Sequence, residues 1–106
     1  MTASQEITNR VNEFVEKLQD RTNKEYATRY ANLTPSLIVI AEGSKFYKII
    51  KLDEGSRSVH CFISKENGDI YKAASWRIPA KHVRGNIFAD DYGMSAVTIY
   101  GANYLK

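Results

Sequence analysis

The sequence predicts an α+β domain: an N-terminal helix, continuous or broken near residue 23, packed on a mainly antiparallel sheet of four or five strands. Three observations predict it. Apolar residues recur at helical spacing through the first third of the chain, β-branched and aromatic residues fill short runs after Ser36, and turn-forming residues separate those runs at hairpin intervals. With 106 residues the chain is long enough for one core and short for two, so it reads as a single domain, helical over 1–33 and β-rich over 36–106.

Ile7, Val11, Phe14, Val15 and Leu18 stand at i, i+4, i+7, i+8 and i+11, which lines one face of a helix with apolar side chains. Thr2 or Ser4 can cap its start, and Thr2 with Gln5 has capping-box spacing. Charged residues such as Glu6, Glu13, Glu16, Lys17, Asp20 and Arg21 fill the other faces. Tyr26, Tyr30 and Leu33 repeat the i, i+4, i+7 rule, so either this helix runs past Thr22-Asn23 or a second one starts there. Thr34-Pro35 then ends helical structure, because proline has no amide hydrogen and displaces its predecessor from the helical region.

Residues 37–41, 45–52, 57–64 and 70–74 read as strands, punctuated by Glu42-Gly43-Ser44, Asp53-Glu54-Gly55 and Glu66-Asn67-Gly68-Asp69. Together they predict a four-strand meander. Asn67-Gly68 suits the two positive φ values of a type I′ turn, which would set Phe62 opposite Ala73 and Ser64 opposite Tyr71. A further strand is expected near 95–100, after a basic loop at 75–88 and the acidic turn Ala89-Asp90-Asp91-Tyr92-Gly93.

The apolar and charged fractions, 43% and 25%, are those of a globular protein, and seven tyrosines, four phenylalanines and one tryptophan can fill a small core. One cysteine, Cys61, allows no internal disulfide, and with two histidines it makes a poor inventory for structural zinc. A reducing cytoplasm is the expected setting, since no basic segment followed by an apolar run opens the chain and no window is long enough to span a bilayer. No membrane partner or cofactor is expected. Asn32-Leu33-Thr34 fits a glycosylation sequon, which has no consequence without a secretory signal.

Charge is placed unevenly. Lys72, Arg77, Lys81 and Arg84 fall between Ile70 and Phe88 with no Asp or Glu, so this window carries +4 against +3 for the whole chain. Within it, SWRIPAKHVRGN at 75–86 combines Trp76, three of those cations, His82 and Pro79. Pro79 can open a helical turn whose free amides and neighbouring cations face one anion. Trp76 offers a flat surface for a base, and an arginine beside an aromatic ring meets both needs of a nucleotide. The plainer reading has Trp76 closing the core beside Ile78, Val83 and Ile87, with the cations solvated or paired to Asp90 and Asp91.

Enzyme readings have less support. His60 and Cys61 are adjacent on a strand and alternate to opposite faces, so they do not form a base and nucleophile, and Cys61 reads as a small core residue. His82 with Asp90 and Asp91 could hold a divalent cation as in a metal-dependent nuclease, although paired aspartates in a glycine turn are ordinary turn chemistry. Tyr26, Tyr30, Tyr47, Tyr71, Tyr92, Tyr100 and Tyr104 fit either a protein interface, including a homo-oligomer, or the wet edge of the core.

The run 57–88 contains Ser58-Val59-His60, Gly68-Asp69-Ile70-Tyr71-Lys72 and Pro79-Ala80-Lys81-His82 followed by Arg84-Gly85-Asn86. In that order these segments resemble a small uncharacterised protein type encoded by tailed bacteriophages. The resemblance implies a phage product acting in bacterial cytoplasm as an accessory protein; it brings no activity and no catalytic residue.

The expected function is therefore non-enzymatic binding of nucleic acid or a phosphate-bearing nucleotide. Trp76 would stack, Arg77, Lys81 and Arg84 with Lys72 would meet phosphate, and His82 would hydrogen-bond. The alternative is a protein-interaction module that binds and inhibits a host enzyme or defence component.

Overall fold

A computed structural model describes residues 3–102, with side chains from Gln5 onward. Helix α1 spans Ala3–Arg29 without a break. Of the expected caps, Thr2 and the Ser4 side chain lie outside the described residues. Continuity through Thr22-Asn23 has a local cause: Thr22 Oγ1 donates to Leu18 O at 2.8 Å, so its hydroxyl is satisfied inside the helix and the residue is fully buried. The buried stripe thus runs Ile7, Val11, Phe14, Leu18, Thr22. Tyr30 N still bonds Tyr26 O, and Leu33 N bonds Tyr30 O, before Pro35 ends the pattern.

Five strands follow: β1 (Leu37–Glu42), β2 (Phe46–Asp53), β3 (Ser56–Ser64), β4 (Asp69–Ala73) and β5 (Pro79–Asn86). They form one antiparallel meander in the order β1-β2-β3-β4-β5. The α+β prediction of a helix packed on such a sheet is the architecture seen. Helix α1 covers one face, where Ile7, Val11, Phe14 and Leu18 meet Ile38, Tyr47, Ile49, Cys61, Ile63 and Ile70. Each large apolar side chain buried this way contributes about 1.5–3 kcal/mol. Gln19 on α1 fastens the edge strand: its Oε1 accepts from Ile38 N at 2.8 Å and its Nε2 donates to Ser36 O at 2.9 Å.

Four expectations need correction. The segment read as a basic loop holds the fifth strand, β5; it begins at Pro79, which an edge strand tolerates because the missing amide hydrogen costs no ladder bond on the open side. Register shifts between Ile70/Tyr71 and Tyr71/Ala73 blur the alternation that would have announced it. The strand expected near 95–100 is instead a 3₁₀ turn, Met94–Ala96, and a small hairpin of β6 (Val97–Thr98) and β7 (Gly101–Ala102) that lies against the helix side of the sheet.

The hairpin at Asn67-Gly68 is longer than a type I′ turn. Only Gly68 has positive φ (+80°), its amide reaches Ser64 O at 3.0 Å, and Asn67 Oδ1 accepts from Asp69 N at 3.0 Å. Phe62 therefore pairs with Tyr71 and Ile63 with Ile70, a slide of two residues that leaves every side chain on its expected face. The cause is tertiary: Ile87 and Phe88 fill the space over Gly68, and a Cβ there would come within 2.7 Å of Ile87 Cγ1.

Alternation also fails at His60-Cys61. Ile49 pairs with Cys61 and Ile50 with Val59, leaving His60 as the extra residue of a bulge, and both side chains are buried, at 2% and 0% exposure. His60 Nε2 donates to Thr98 O at 2.6 Å and ties the β6–β7 hairpin down, while its Nδ1 has no partner among the described residues. Burial holds its pKa down to about 4, so the imidazole is neutral at physiological pH. Burial pushes the Cys61 thiol far upward, so it is an inert core group rather than a nucleophile. Among the described residues no helix is long and apolar enough to cross a membrane.

Candidate functional site

The face of the sheet opposite α1 is built by the alternate residues of the same strands. Direct partners across it are Ala41, Lys48, Phe62, Tyr71 and Val83, one from each strand. Leu37 pairs with Leu52, which pairs with Arg57, and Phe46 pairs with Ser64, so these also share the face. Phe46 packs edge-on against Phe62 at 6.0 Å and Tyr71 at 5.8 Å between centroids. Phe62 is buried beneath this cluster, whereas Phe46 and Tyr71 remain half-exposed.

Trp76, in the connection from β4 to β5, joins this surface instead of closing the core. It is 37% exposed, with Lys48 Nζ 4.3 Å and Arg57 Cζ 4.8 Å from the ring centroid. The negative face of the indole attracts both cations, and neither is paired with a carboxylate among the described residues. The local turn that presents Trp76 is made by Ser75, whose Oγ accepts from Ile78 N at 3.2 Å, and by Ile78 O, which accepts from Ala74 N at 2.9 Å. Arg77 follows and lines a groove of about 350 Å³ with Lys45, Phe46, Lys48, Phe62 and the β1–β2 turn. Glu42 also borders the groove, but its Oε2 is taken by Lys65 Nζ at 2.6 Å.

The sequence-predicted residues divide. Trp76 and Arg77 belong to this surface. Lys81 and His82 are exposed on the irregular part of β5. Arg84 is half-buried and donates from Nη1 to His82 O at 2.5 Å. Lys72 sits between Tyr71 and Ala73 on β4 and so alternates away from the aromatic face. Arg77 and Lys81 make no ion pair with Asp90 or Asp91 among the described residues.

Asp91 has other work. A hydrogen bond from the Ser95 side chain, and then those its carboxylate accepts from Ser95 N at 2.9 Å and Gly93 N at 3.0 Å, hold its pKa below the usual range. It thereby shapes the entry to the 3₁₀ turn. Among the described residues no group of three His, Cys, Asp or Glu side chains is placed to hold a metal ion.

Sequence reasoning missed Lys48 and Arg57. The signal was present: a two-residue turn at Glu54-Gly55 pairs Arg57 with Leu52, and Lys48 has the same parity as Leu52 on β2. Six tyrosines fall among the described residues, Tyr104 lying outside them, and they engage their own chain. Tyr47 bonds Thr8 at 2.6 Å, Tyr26 bonds Ser36 at 3.0 Å, Tyr30 bonds Tyr100 at 2.7 Å, Tyr71 packs on Phe46, and Tyr92 stacks under Arg10 at 3.5 Å.

Comparison with curated proteins and with solved structures gives no match. A protein-family pattern does match, over residues 1–101, which takes in the helix, the sheet and the whole aromatic face. The chain belongs to that family, DUF7717, a family of unknown function.

Proposed function

We propose that this protein is a non-enzymatic binding protein whose aromatic, cationic sheet face engages nucleic acid or a phosphate-bearing nucleotide. One observation carries the reading: an exposed indole flanked by Lys48 and Arg57, with Arg77 beside it, and none of the three paired with a carboxylate among the described residues. Cations held by a ring rather than an acid can turn to phosphate without breaking an ion pair. Lys81, exposed at the β5 edge, extends the same positive border, with the exposed His82 ring beside it. The phage resemblance supplies the proposed setting, bacterial cytoplasm.

The test is fluorescence anisotropy with labelled single-stranded DNA, duplex DNA and RNA at low and near-physiological salt. Binding should weaken steeply with salt, and Arg57→Ala with Arg77→Ala should weaken it at least tenfold, since a charge-assisted contact contributes about 1.5 kcal/mol. Failure of every polyanion to bind at low salt, together with no rise in melting temperature on adding mononucleotides, would sink the proposal.

A second reading has its own observation. Leu37, Ile78 and Val83 are 54%, 60% and 43% exposed on the strands and connection that carry this face. Apolar side chains around a cationic centre also fit a protein partner, a host enzyme or defence component inhibited by the contact, or a second copy of this chain. A partner retained from nuclease-treated bacterial lysate, and lost in Ile78→Ser, Val83→Ser protein, would favour it.

A further inference from the structure

The nature of the ligand follows from how the aromatic rings and charges are laid out. Resting on the phosphate-binding reading above, we infer that the ligand is a single-stranded polynucleotide lying across the open sheet face, bases on Trp76, Phe46 and Tyr71 and backbone on Lys48, Arg57 and Arg77.

Three features point there. The first is extent. Phe46 stands six residues along β2 from Leu52, the partner of Arg57, so the surface runs about 20 Å at the rise of a strand, more than one nucleotide covers. The groove beside Phe46, about 350 Å³, runs along the β1–β2 turn, and Lys48, which also lies against the Trp76 ring, lines it with Arg77. About four nucleotides, the low end of single-strand sites on sheets, would fill that length.

The second feature is shape. The meander presents a sheet face, and among the described residues no helix or free-standing ribbon projects from it to enter a duplex groove. A duplex hides its base faces in its own stack, so rings on such a surface would gain nothing from it. Unpaired bases expose their faces and can lie on the indole, which is 37% exposed, and on half-exposed Phe46 and Tyr71.

The third is charge. By strand alternation this face carries Lys48 and Arg57, joined by Arg77, while the strand carboxylates that border it are engaged elsewhere: Glu42 by Lys65 Nζ at 2.6 Å, and Asp69 by Asn86 Nδ2 at 2.8 Å. The helix surface is different, with Asp20–Lys24 and Glu25–Arg29 pairs neutralising one another. Cations held by a ring, with no carboxylate partner among the described residues, thus stand on the face that also carries the exposed indole.

Trp76 is the only tryptophan in the chain, so its emission reads the site directly. Unlabelled oligomers of eight thymidines or eight uridines, a hairpin duplex and inorganic polyphosphate are titrated against the full-length protein, and both emission and affinity are followed. Stacking should quench Trp76 with the single strands only. Three phosphate contacts should give a slope of log affinity against log salt of about −2. Trp76→Leu should cost about 5- to 150-fold in single-strand affinity, the range for loss of one stacked base, Trp76→Phe should recover part of it, and Lys24→Ala on the helix should change nothing.

Quenching by either sugar type supports the inference, and the ratio between the two arms says which polymer is preferred. If duplex and polyphosphate bind as tightly as single strands, or Trp76→Leu binds normally, the single-strand inference is overturned while phosphate binding stands. If nothing binds, the single-strand inference falls, and phosphate binding falls with it when mononucleotides do not raise the melting temperature either.

Discussion

The two faces of this sheet are written by alternate residues of the same strands, and they differ in kind. On the helix side, Ile38, Ile49, Ile63 and Ile70 are sealed under α1. On the other side, Lys48, Phe62, Tyr71 and Val83 run across the strands with no helix over them among the described residues, and Trp76 lies against Lys48. Solubility alone would be served by small polar residues there. Large rings with cations and few acids stand there instead, which is the ground for the proposed binding role, and the contrast separates residues that hold the fold from those available for a function.

That contrast can be broken by measuring each face for the property assigned to the other. The largest effect belongs to the helix side: Phe14→Ala, at a fully buried position facing the sheet, should cost about 3–5 kcal/mol in urea unfolding. A loss under 1 kcal/mol would mean that α1 does not form the core.

Next comes His60. Its pKa is about 4 in the fold against 6.5 when exposed, so the unfolded chain takes up the proton first as pH falls. The associated stability is complete above pH 6.5 and declines through the interval down to about 4, by about 3 kcal/mol in all. Comparing the pH dependence of unfolding in wild-type and His60→Leu protein isolates this from the carboxylates. Equal slopes between pH 6.5 and 5 would show that His60 is not held neutral under the β6–β7 hairpin.

Smaller again is Tyr47→Phe, which removes the 2.6 Å hydrogen bond to Thr8 while keeping the buried ring. The expected cost is about 0.5–1.5 kcal/mol by thermal or urea unfolding. On the open face, Arg57→Ala should move stability by no more than about 0.5 kcal/mol, yet reduce the salt slope of single-strand binding by about 0.7. A large stability loss there with unchanged binding would turn the face into ordinary scaffold.

What local sequence determined is considerable. Ile7, Val11, Phe14 and Leu18 predicted the helix, and four β-rich runs predicted four of the five strands of the meander, because periodicity is a relation between near neighbours in the chain. The excess of cations between Ile70 and Phe88, and a tryptophan among them, were equally legible. Tertiary structure decided the rest. SWRIPAKHVRGN became a turn and an edge strand because β4 offered it a free edge; Ile87 and Phe88 packing over Gly68 set the β3–β4 turn; and a bulge turned His60 inward. The site itself was decided the same way. Arg57 and Lys48 stand well before Trp76 in the chain and meet it only because the β2–β3 and β3–β4 registers place them on one face, and the exposure of Trp76 depends on which side of the sheet its turn falls. Local pattern specifies which way each side chain points; only long-range pairing specifies what it points at.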